Sequence, residues 1–189
     1  MTGISAATDY DASGARGLQT SVPPVDAQDI ALGPSRVVDY LKAPSADQTT
    51  APLLVQGVQG QVERRIGRLL SQREVTAEWS SVPEVARLPF PPQGTIDTVT
   101  KIDAVGGETV LVKGDGYDVR GTDQKRLHVE AKDGLRVTYQ AGYETVPPAL
   151  KMQMLRDIAS RYDRRGTTVK EGVSKLPDPS AYDQWRVLQ

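Results

Sequence analysis

The sequence predicts an α+β fold: a small helical bundle with an inserted antiparallel β-hairpin sheet, plus extended N- and C-terminal arms. Two observations support this fold class. Apolar and polar residues alternate through much of residues 73–143, which is the period of half-buried strands. The segments on either side repeat apolar residues at helical spacing, and each begins near a proline. Tight turns between the strands imply antiparallel pairing.

Residues 1–33 form the predicted N-terminal arm. The segment is rich in Ala, Ser, Gly, Asp and Thr, and neither a strand period nor a helical period is visible in it. Such a composition does not bury enough apolar surface to hold a fixed structure alone in water. We therefore expect this arm to lie on another subunit.

The central domain, residues 34–166, is expected to begin with two helices, at about 34–43 and 50–70. Pro34 and Pro52 occupy their first turns, where a missing N–H group costs nothing. The second helix carries an apolar stripe of Leu54, Val55, Val58, Val62 and Ile66. The residues expected to face water beside this stripe are Gln59, Glu63, Arg64 and Arg68.

Three glycines, Gly57, Gly60 and Gly67, lie within the predicted second helix. Each costs roughly 1 kcal/mol relative to alanine in a helix interior. A helix with this many glycines needs tertiary support, and close approach of another backbone would explain them.

The β insertion is predicted over about residues 73–143. Gly106-Gly107 and Asp133-Gly134 are the residue pairs expected to supply the positive φ angles of tight hairpin loops. The Asp-Gly pair between LHVEAK and LRVTYQ is the strongest local hairpin signal. LPFPP, residues 88–92, contains three prolines and is expected to be an ordered edge or connector.

A third helix is predicted over about residues 147–165, followed by a C-terminal arm, residues 167–189, with a short amphipathic helix. The candidate interaction residues are Tyr182, Trp185, Leu188, Arg161, Arg164 and Arg165. Aromatic and arginine side chains are enriched at binding hot spots. Two alternatives remain open: the aromatic face folds back on its own domain, and the arginines are solvated partners of the helix dipole.

Composition excludes several classes of function. The chain of 189 residues has no cysteine, which rules out disulfides, thiolate catalysis and cysteine-based zinc sites. Its net charge of −1 gives no global basic field for nucleic-acid binding. No apolar run is long enough for a membrane span, and MTGISAATDYDASG does not resemble a secretion signal.

A search for chemical centres predicts no catalytic, cofactor-binding or metal-binding residue, and no enzyme activity. The lone histidine, His128, lies at an outward position of a predicted strand. GDGYD, residues 114–118, lacks the later carboxylates of a calcium loop and the following helix of a phosphate loop, so we expect a turn. Serine and lysine do not occur in a nucleophile-elbow or S-x-x-K setting.

An ordered set of short sequences resembles one family. SRVVDYLKA, VERRIGRLL, LPFPP, TVTKI, RLHV, VTYQAGY and VPPALKMQML follow one another over roughly residues 35–166. Together they resemble the head–tail connector, or adaptor, proteins of siphovirus-like tailed phages and gene transfer agents. The arms at both ends lie outside this resemblance.

The resemblance implies a structural virion protein in the neck between capsid and tail, assembled in the host cytoplasm. It implies a homo-oligomeric ring, usually of twelve copies, that docks to the portal protein and presents the downstream neck or tail protein. Double-stranded DNA would pass through the ring without sequence-specific binding. The C-terminal Tyr182–Leu188 segment is expected to anchor to the portal, so truncation after Lys175 should abolish docking and leave the domain folded.

Three alternatives remain open. A head–tail stopper or tail-completion protein of the same particle would differ mainly in the ring it contacts. A non-viral β-sheet binding module would be a monomer with an aromatic-lined groove, for which seven Tyr, two Trp and one Phe are few. A small enzyme using Asp and Lys residues would need a concave pocket with perturbed carboxylates.

Overall fold

The structure is a computed structural model of the chain, and it describes residues 17–24, 31–42, 50–130, 133–163 and 178–187. These residues fall into two compact units. The first lies within residues 1–24 and 72–143 and contains the β-strands. The second lies within residues 25–71 and 144–187 and contains the helices. The predicted α+β class with antiparallel sheets is confirmed.

The β unit contains two antiparallel sheets. The strands in chain order are β1 Leu18–Ser21, β2 Arg73–Trp79, β3 Ala86–Arg87, β4 Gln93–Ile102, β5 Glu108–Val110, β6 Tyr117–Arg120, β7 Arg126–Val129 and β8 Gly134–Ala141. The larger sheet has the order β1-β2-β8-β4-β5, and the smaller sheet has the order β3-β7-β6.

The predicted strand period is confirmed in the larger sheet. On β2 and β8 the residues alternate between buried and more exposed positions. The fully buried side chains that this alternation places on one face are Val75, Ala77, Trp79, Leu135, Val137 and Tyr139. The Tyr139 hydroxyl donates to the Pro89 carbonyl at 2.8 Å, so its polar end is satisfied inside this core.

Strand β1 corrects the expectation for the N-terminal arm. Residues 18–21 pair with the chain's own β2, with Leu18 opposite Trp79 and Thr20 opposite Ala77. The expectation that the arm lies on another subunit is therefore wrong for this strand, and residues 1–16 lie outside the described residues. This strand has four residues and one buried side chain, so its pattern is too short to recognise in the sequence. Its pairing with β2 depends on backbone hydrogen bonds, which leave no side-chain pattern.

The hairpin predicted at Asp133-Gly134 is wrong. Strand β7 pairs with β3 and β6 in the smaller sheet, whereas β8 pairs with β2 and β4 in the larger one. Gly134 is not among the glycines with positive φ. A Cβ atom at this position would lie 3.0 Å from Ile102 Cβ and 3.3 Å from the Ile102 carbonyl oxygen. The glycine is required for close approach of β4, not for a turn.

A hairpin forms at Gly106-Gly107 as predicted, but its loop spans residues 103–107 and only Gly106, not Gly107, has the expected positive φ. It joins β4 to β5, with Ile102 opposite Glu108. Gly106 has a φ of 88°, and Asp103 Oδ1 accepts hydrogen bonds from Val105 N at 3.0 Å and Gly107 N at 2.6 Å. The carboxylate thus holds the loop closed from inside. Within GDGYD, residues 114–116 form the expected turn and residues 117–118 begin β6. Gly114 N donates to the Tyr117 carbonyl at 2.8 Å.

LPFPP is an ordered connector, as predicted. Gln93 Nε2 donates to the carbonyl oxygens of Leu88 at 2.7 Å and Pro89 at 3.0 Å. The Gln93 Oε1 atom accepts from Lys125 N at 2.5 Å. Prolines have no N–H group to donate, so this segment cannot pair its carbonyl oxygens as a regular strand would. The buried side-chain amide of Gln93 donates to two of these carbonyl oxygens instead.

The helical unit contains α1 Pro34–Leu41, α2 Ala51–Ile66, α3 Pro148–Asp163 and a 3-10 helix, Pro179–Trp185. The prediction that the second helix reaches residue 70 is wrong, because Gly67 adopts a left-handed C-cap with φ 67°. The third helix is described only to Asp163, two residues short of its predicted end. The core of this unit includes Val37, Val55, Val58, Val62, Ile66, Leu150, Met154 and Ile158.

Alanine substitutions at two glycines are expected to change stability in opposite directions. Gly134→Ala should destabilise the β unit by about 1–3 kcal/mol, because the added Cβ meets backbone and side-chain atoms of Ile102. Gly57→Ala should stabilise α2 by up to about 1 kcal/mol, because nothing outside its own helix lies within 4 Å of the added atom. Urea unfolding curves of the two variants would show this difference, and equal shifts would contradict it. The close backbone approach expected at Gly57 and Gly60 is not seen within the described chain.

Candidate functional site

The candidate site lies where residues 178–187, hereafter the 3-10 segment, fold against α2 and α3. Asp178 begins the segment as an N-cap, and its Oδ1 accepts from Ser180 N at 2.9 Å and Ser180 Oγ at 2.7 Å. These two hydrogen bonds lower the pKa of the Asp178 carboxyl. The first turn of the 3-10 helix is therefore held by contacts within the segment itself.

Tyr182 is the buried centre of the 3-10 segment. Its side chain is only 3% exposed, and its hydroxyl donates to Asp157 Oδ2 on α3 at 2.7 Å. Gln153 Nε2 donates to the other carboxylate oxygen of Asp157 at 3.1 Å. The ring of Trp185 lies 6.3 Å from the Tyr182 ring at an angle of 54°. The buried carboxylate therefore holds Tyr182 against α3, and Trp185 lies beside the Tyr182 ring.

Two arginines contact the outer side of the segment: Arg65 in the last turn of α2 and Arg68 just after the helix. Arg65 Nη2 lies 2.9 Å from Asp183 Oδ1, and Arg68 Nε donates to the Trp185 carbonyl at 3.0 Å. Val187 N donates to the Ile66 carbonyl at 2.9 Å. Since that carbonyl is at the C-terminus of α2, the segment also caps a helix end that would otherwise lack a partner.

A small cavity of about 110 Å³ lies beneath the segment. Its lining consists of Val58, Gln61, Val62, Arg65, Asp157, Arg161 and Tyr182. Arg161 Nη2 donates to Gln61 Oε1 across this cavity. Sites for small-molecule substrates are typically roughly 300–1,000 Å³. The cavity is smaller than such sites.

The structure brings three of the six predicted interaction residues together. Tyr182 is buried, Trp185 is half-buried and Arg161 lies at the cavity, whereas Arg164, Arg165 and Leu188 lie outside the described residues. Tyr182 folds back on its own unit, which was one of the two open alternatives. Truncation after Lys175 would remove this buried residue, so the structure predicts a less stable truncated domain than the sequence alone suggests. Binding of a partner by these residues stays a prediction.

Sequence reasoning missed two buried polar residues on α2. Gln59 is 0% exposed and Glu63 is 8% exposed, so the expectation that both face water is wrong. Glu63 Oε1 accepts from Leu70 N at 2.9 Å and from Gln59 Nε2 at 3.1 Å. Gln59 Oε1 accepts from Ala31 N at 3.0 Å. Val55, Gln59 and Glu63 follow one another at intervals of four residues, so the apolar Val55 is the one sequence signal that this row of α2 is buried.

The described part of the chain contains no group of three His, Cys, Asp or Glu side chains that could hold a metal ion. Within the same residues, none of the helices combines the length and apolar character that a membrane span requires. His128 is half-buried on β7, directly opposite Asp118 of β6.

Two buried tyrosines predict a loss of stability at alkaline pH. Burial raises the pKa of the Tyr139 phenol well above its usual value. Burial, and then the hydrogen bond to Asp157, raise the pKa of Tyr182. A raised folded-state pKa favours the neutral phenol, so this stability is fully present below the unfolded pKa of about 10 and is lost as the pH rises further. Ultraviolet absorbance should show both phenols ionising only with unfolding, and ionisation of all tyrosines in the folded protein near pH 10 would contradict this.

Comparison with known proteins identifies the fold. No protein-family model matches the sequence. No curated protein matches it either. Among solved structures, a chain in the neck of an empty gene transfer agent particle, computed with C6 symmetry, has a TM-score of 0.70 at 18% identity. The match covers 91% of this chain and 96% of that chain. This chain has the fold of a gene transfer agent neck protein.

Two further structures of gene transfer agent particles contain the same fold. A chain in the virion of a native particle has a TM-score of 0.68 at 17% identity, covering 88% of this chain and 94% of that one. A chain in the neck of a native particle, computed with C12 symmetry, has a TM-score of 0.64 at 17% identity, covering 89% and 94%. The resemblance noted in the sequence is therefore confirmed at the level of the fold.

Proposed function

We propose that the chain is a structural protein of the neck of a phage-like particle, and that within the neck it is the head–tail connector, or adaptor. The observation that supports this most is the fold shared with neck chains over 88–91% of this chain. The ordered sequence resemblance over roughly residues 35–166 points to the same class of protein.

The proposed assembly is a ring, with twelve copies as the expected number. The similar neck structures were computed with C6 and C12 symmetry, which supports a closed ring for this chain. A head-to-tail contact between identical copies closes into a ring when the rotation between them divides a full turn. In the particle, the ring would dock to the portal protein on one side and to the next neck or tail protein on the other. Double-stranded DNA would pass through it.

Features of the chain itself are compatible with crowding into a ring. The net charge of −1 over 189 residues keeps mutual repulsion between copies small. The β4–β5 hairpin and the residues after it expose three valines: Val105 at 94%, Val110 at 65% and Val112 at 66%. Strand β5 is at one end of the larger sheet as described. An apolar sheet edge is a surface that native proteins normally cover, and we assign a second copy as its cover.

The proposed role is mechanical, and the site supports it through a fixed docking surface. Arg65 and Arg68 contact the 3-10 segment, and Tyr182 is buried beneath it, so the half-buried Trp185 would be presented with little further ordering. A preorganised aromatic residue reduces the entropy lost on binding. The portal is the expected partner for this segment, and the neck of the virion is the expected location, after assembly in the host cytoplasm.

The test is native mass spectrometry of the full chain, alone and with purified portal. The wild-type protein should form a ring and bind the portal. Val110→Lys should prevent ring closure, because it places a charge on the β5 edge, whereas Leu53→Lys, at a position of α2 that is 68% exposed, serves as the matched control. A wild-type chain that stays monomeric and binds no portal would contradict the proposal. Binding to an isolated tail end but not to the portal would favour the stopper or tail-completion alternative.

A further inference from the structure

Three arginines form a row across the smaller sheet. Arg126 on β7 is directly opposite Arg87 of β3 on one side and Arg120 of β6 on the other. Residues opposite each other in neighbouring strands point to the same face of a sheet. All three are exposed. Because neighbouring strands lie about 4.8 Å apart, the row extends over about 10 Å.

The described residues do not neutralise this row. Like charges directly opposite each other destabilise a sheet, yet within the described residues Arg87 and Arg126 have no ion pair. Arg120 Nε lies 3.9 Å from Asp118 Oδ2, with the two side chains 70% and 60% exposed. A pair so exposed contributes little.

A strand arginine in the larger sheet shows the opposite arrangement. Arg136 on β8 lies 2.9 Å from Glu78 and 2.7 Å from Glu108, so two carboxylates surround one guanidinium group. The hydrogen bonds with Glu78 and Glu108 raise the pKa of Arg136. Compared with this neutralised arginine, the row in the smaller sheet is an open cationic surface.

The row takes no part in the core of the sheet. The opposite face carries Ala86, Leu127 and Val119, and the first two are fully buried. The cationic face carries, besides the arginines, only His128 and Asp118 among the residues of these three strands. Its charge is therefore positive even with a neutral histidine.

We infer that the row of Arg87, Arg126 and Arg120 binds the phosphate backbone of duplex DNA without regard to sequence. Each DNA strand carries one phosphate per about 3.4 Å of helix axis, so three long, exposed arginine side chains spread over about 10 Å of sheet can reach neighbouring phosphates of one strand. Arginine binds phosphate through two parallel N–H groups. Contacts to phosphates carry no base information, so binding would be independent of sequence. This inference rests on the proposed function, since it names the surface that a duplex passing through the neck would touch.

The test uses the full chain and two fluorescently labelled duplexes of unrelated sequence. Binding would be measured by anisotropy between about 50 mM and 200 mM salt, where phosphate contacts give a strong salt dependence. The variant carries Arg87→Gln, Arg120→Gln and Arg126→Gln. The control carries Arg36→Gln, Arg156→Gln and Arg186→Gln, which remove the same charge from exposed positions of the helical unit.

The row variant should lose at least tenfold in affinity at about 50 mM salt on both duplexes, and its salt slope should fall by up to about 0.9 for each phosphate contact removed. The control should change affinity by less than twofold. Equal effects of variant and control, or no binding of either duplex by the wild-type chain, would overturn the inference. If the wild-type chain binds a labelled polyglutamate and does not bind DNA, the row is a site for an acidic protein. That result would also overturn the inference.

The two proposals fail separately in this experiment. The row variant keeps its exposed valines and its 3-10 segment, so it should still form rings and bind the portal. If wild-type rings form and the salt slope of the row variant is unchanged, the row assignment is wrong and the ring stands. If DNA binding falls as expected but no ring forms, the row stands and the proposed function is wrong.

Discussion

Substitution of Tyr182 by alanine is expected to lower the free energy of unfolding of the helical unit by about 4 kcal/mol. Replacing a buried aromatic side chain with alanine costs about 3–5 kcal/mol through lost burial and the cavity that remains. The ring is only 3% exposed, and its hydroxyl donates to the buried Asp157 at 2.7 Å. Urea unfolding, followed by circular dichroism and by tryptophan fluorescence, measures the change.

Two variants separate the causes of this loss. Tyr182→Phe keeps the ring and removes only the hydrogen bond to a carboxylate, which should cost about 1.5–3 kcal/mol. Tyr40→Ala, at a position of α1 that is 45% exposed, is the control and should cost about 0.5 kcal/mol or less. If Tyr182→Ala is no less stable than the control, the 3-10 segment is not part of the folded unit.

Substitution of Glu63 by alanine is expected to lower the free energy of unfolding by about 3 kcal/mol. Its carboxylate accepts hydrogen bonds from Leu70 N and Gln59 Nε2, and removing it leaves both buried donors without this acceptor. Each buried group left unsatisfied costs about 1–3 kcal/mol. The loss should also free the chain that follows α2, because the bond to Leu70 N holds it against the helix.

Thermal and urea unfolding of three variants measure this effect. Glu63→Gln keeps an acceptor oxygen at the same position, so most of the loss should be recovered. Glu144→Ala removes a carboxylate at an exposed position of the same unit and should change stability by about 0.5 kcal/mol or less. Equal stability of Glu63→Ala and Glu144→Ala would show that the buried network contributes nothing.

The burial of Tyr182 changes how docking to a portal should be studied. We expect deletion of the segment to destabilise the helical unit as well as remove a docking surface, so the two effects could not be separated. Substitution of Trp185, which is half-buried, changes the presented surface and leaves the Tyr182–Asp157 bond in place. Variants of this residue are the better probe of partner binding.

Much of the secondary structure follows from local sequence patterns. The alternation in β2 and β8 predicted buried Val75 and Val137 because a strand with one buried face repeats every two residues. Gly67 shows the limit of local patterns. From the sequence alone it could lie inside the helix, where a glycine lowers stability, or at the C-cap that ends the helix. The structure places it at the C-cap, where its positive φ costs little.

Strand pairing and side-chain partners depend on contacts that are distant in the sequence. Apolar and polar residues alternate in both LHVEAK and LRVTYQ, so the two patterns look alike. Which strands they pair with, and therefore which sheet each joins, is set by residues distant in the sequence. Tyr182 was recognised as part of an amphipathic turn, but an apolar face does not specify whether its own unit or a partner covers it. The arginine row was not predicted, because Arg87, Arg120 and Arg126 become neighbours only through sheet register.

The most direct test of the central claim, that this chain is the connector ring of a phage-like neck, is cryo-electron microscopy of the chain bound to its portal. We expect a closed ring of twelve copies seated beneath the portal, with a central channel wide enough for duplex DNA. A single copy bound elsewhere on the particle, or a monomer that leaves the portal bare, would contradict the claim.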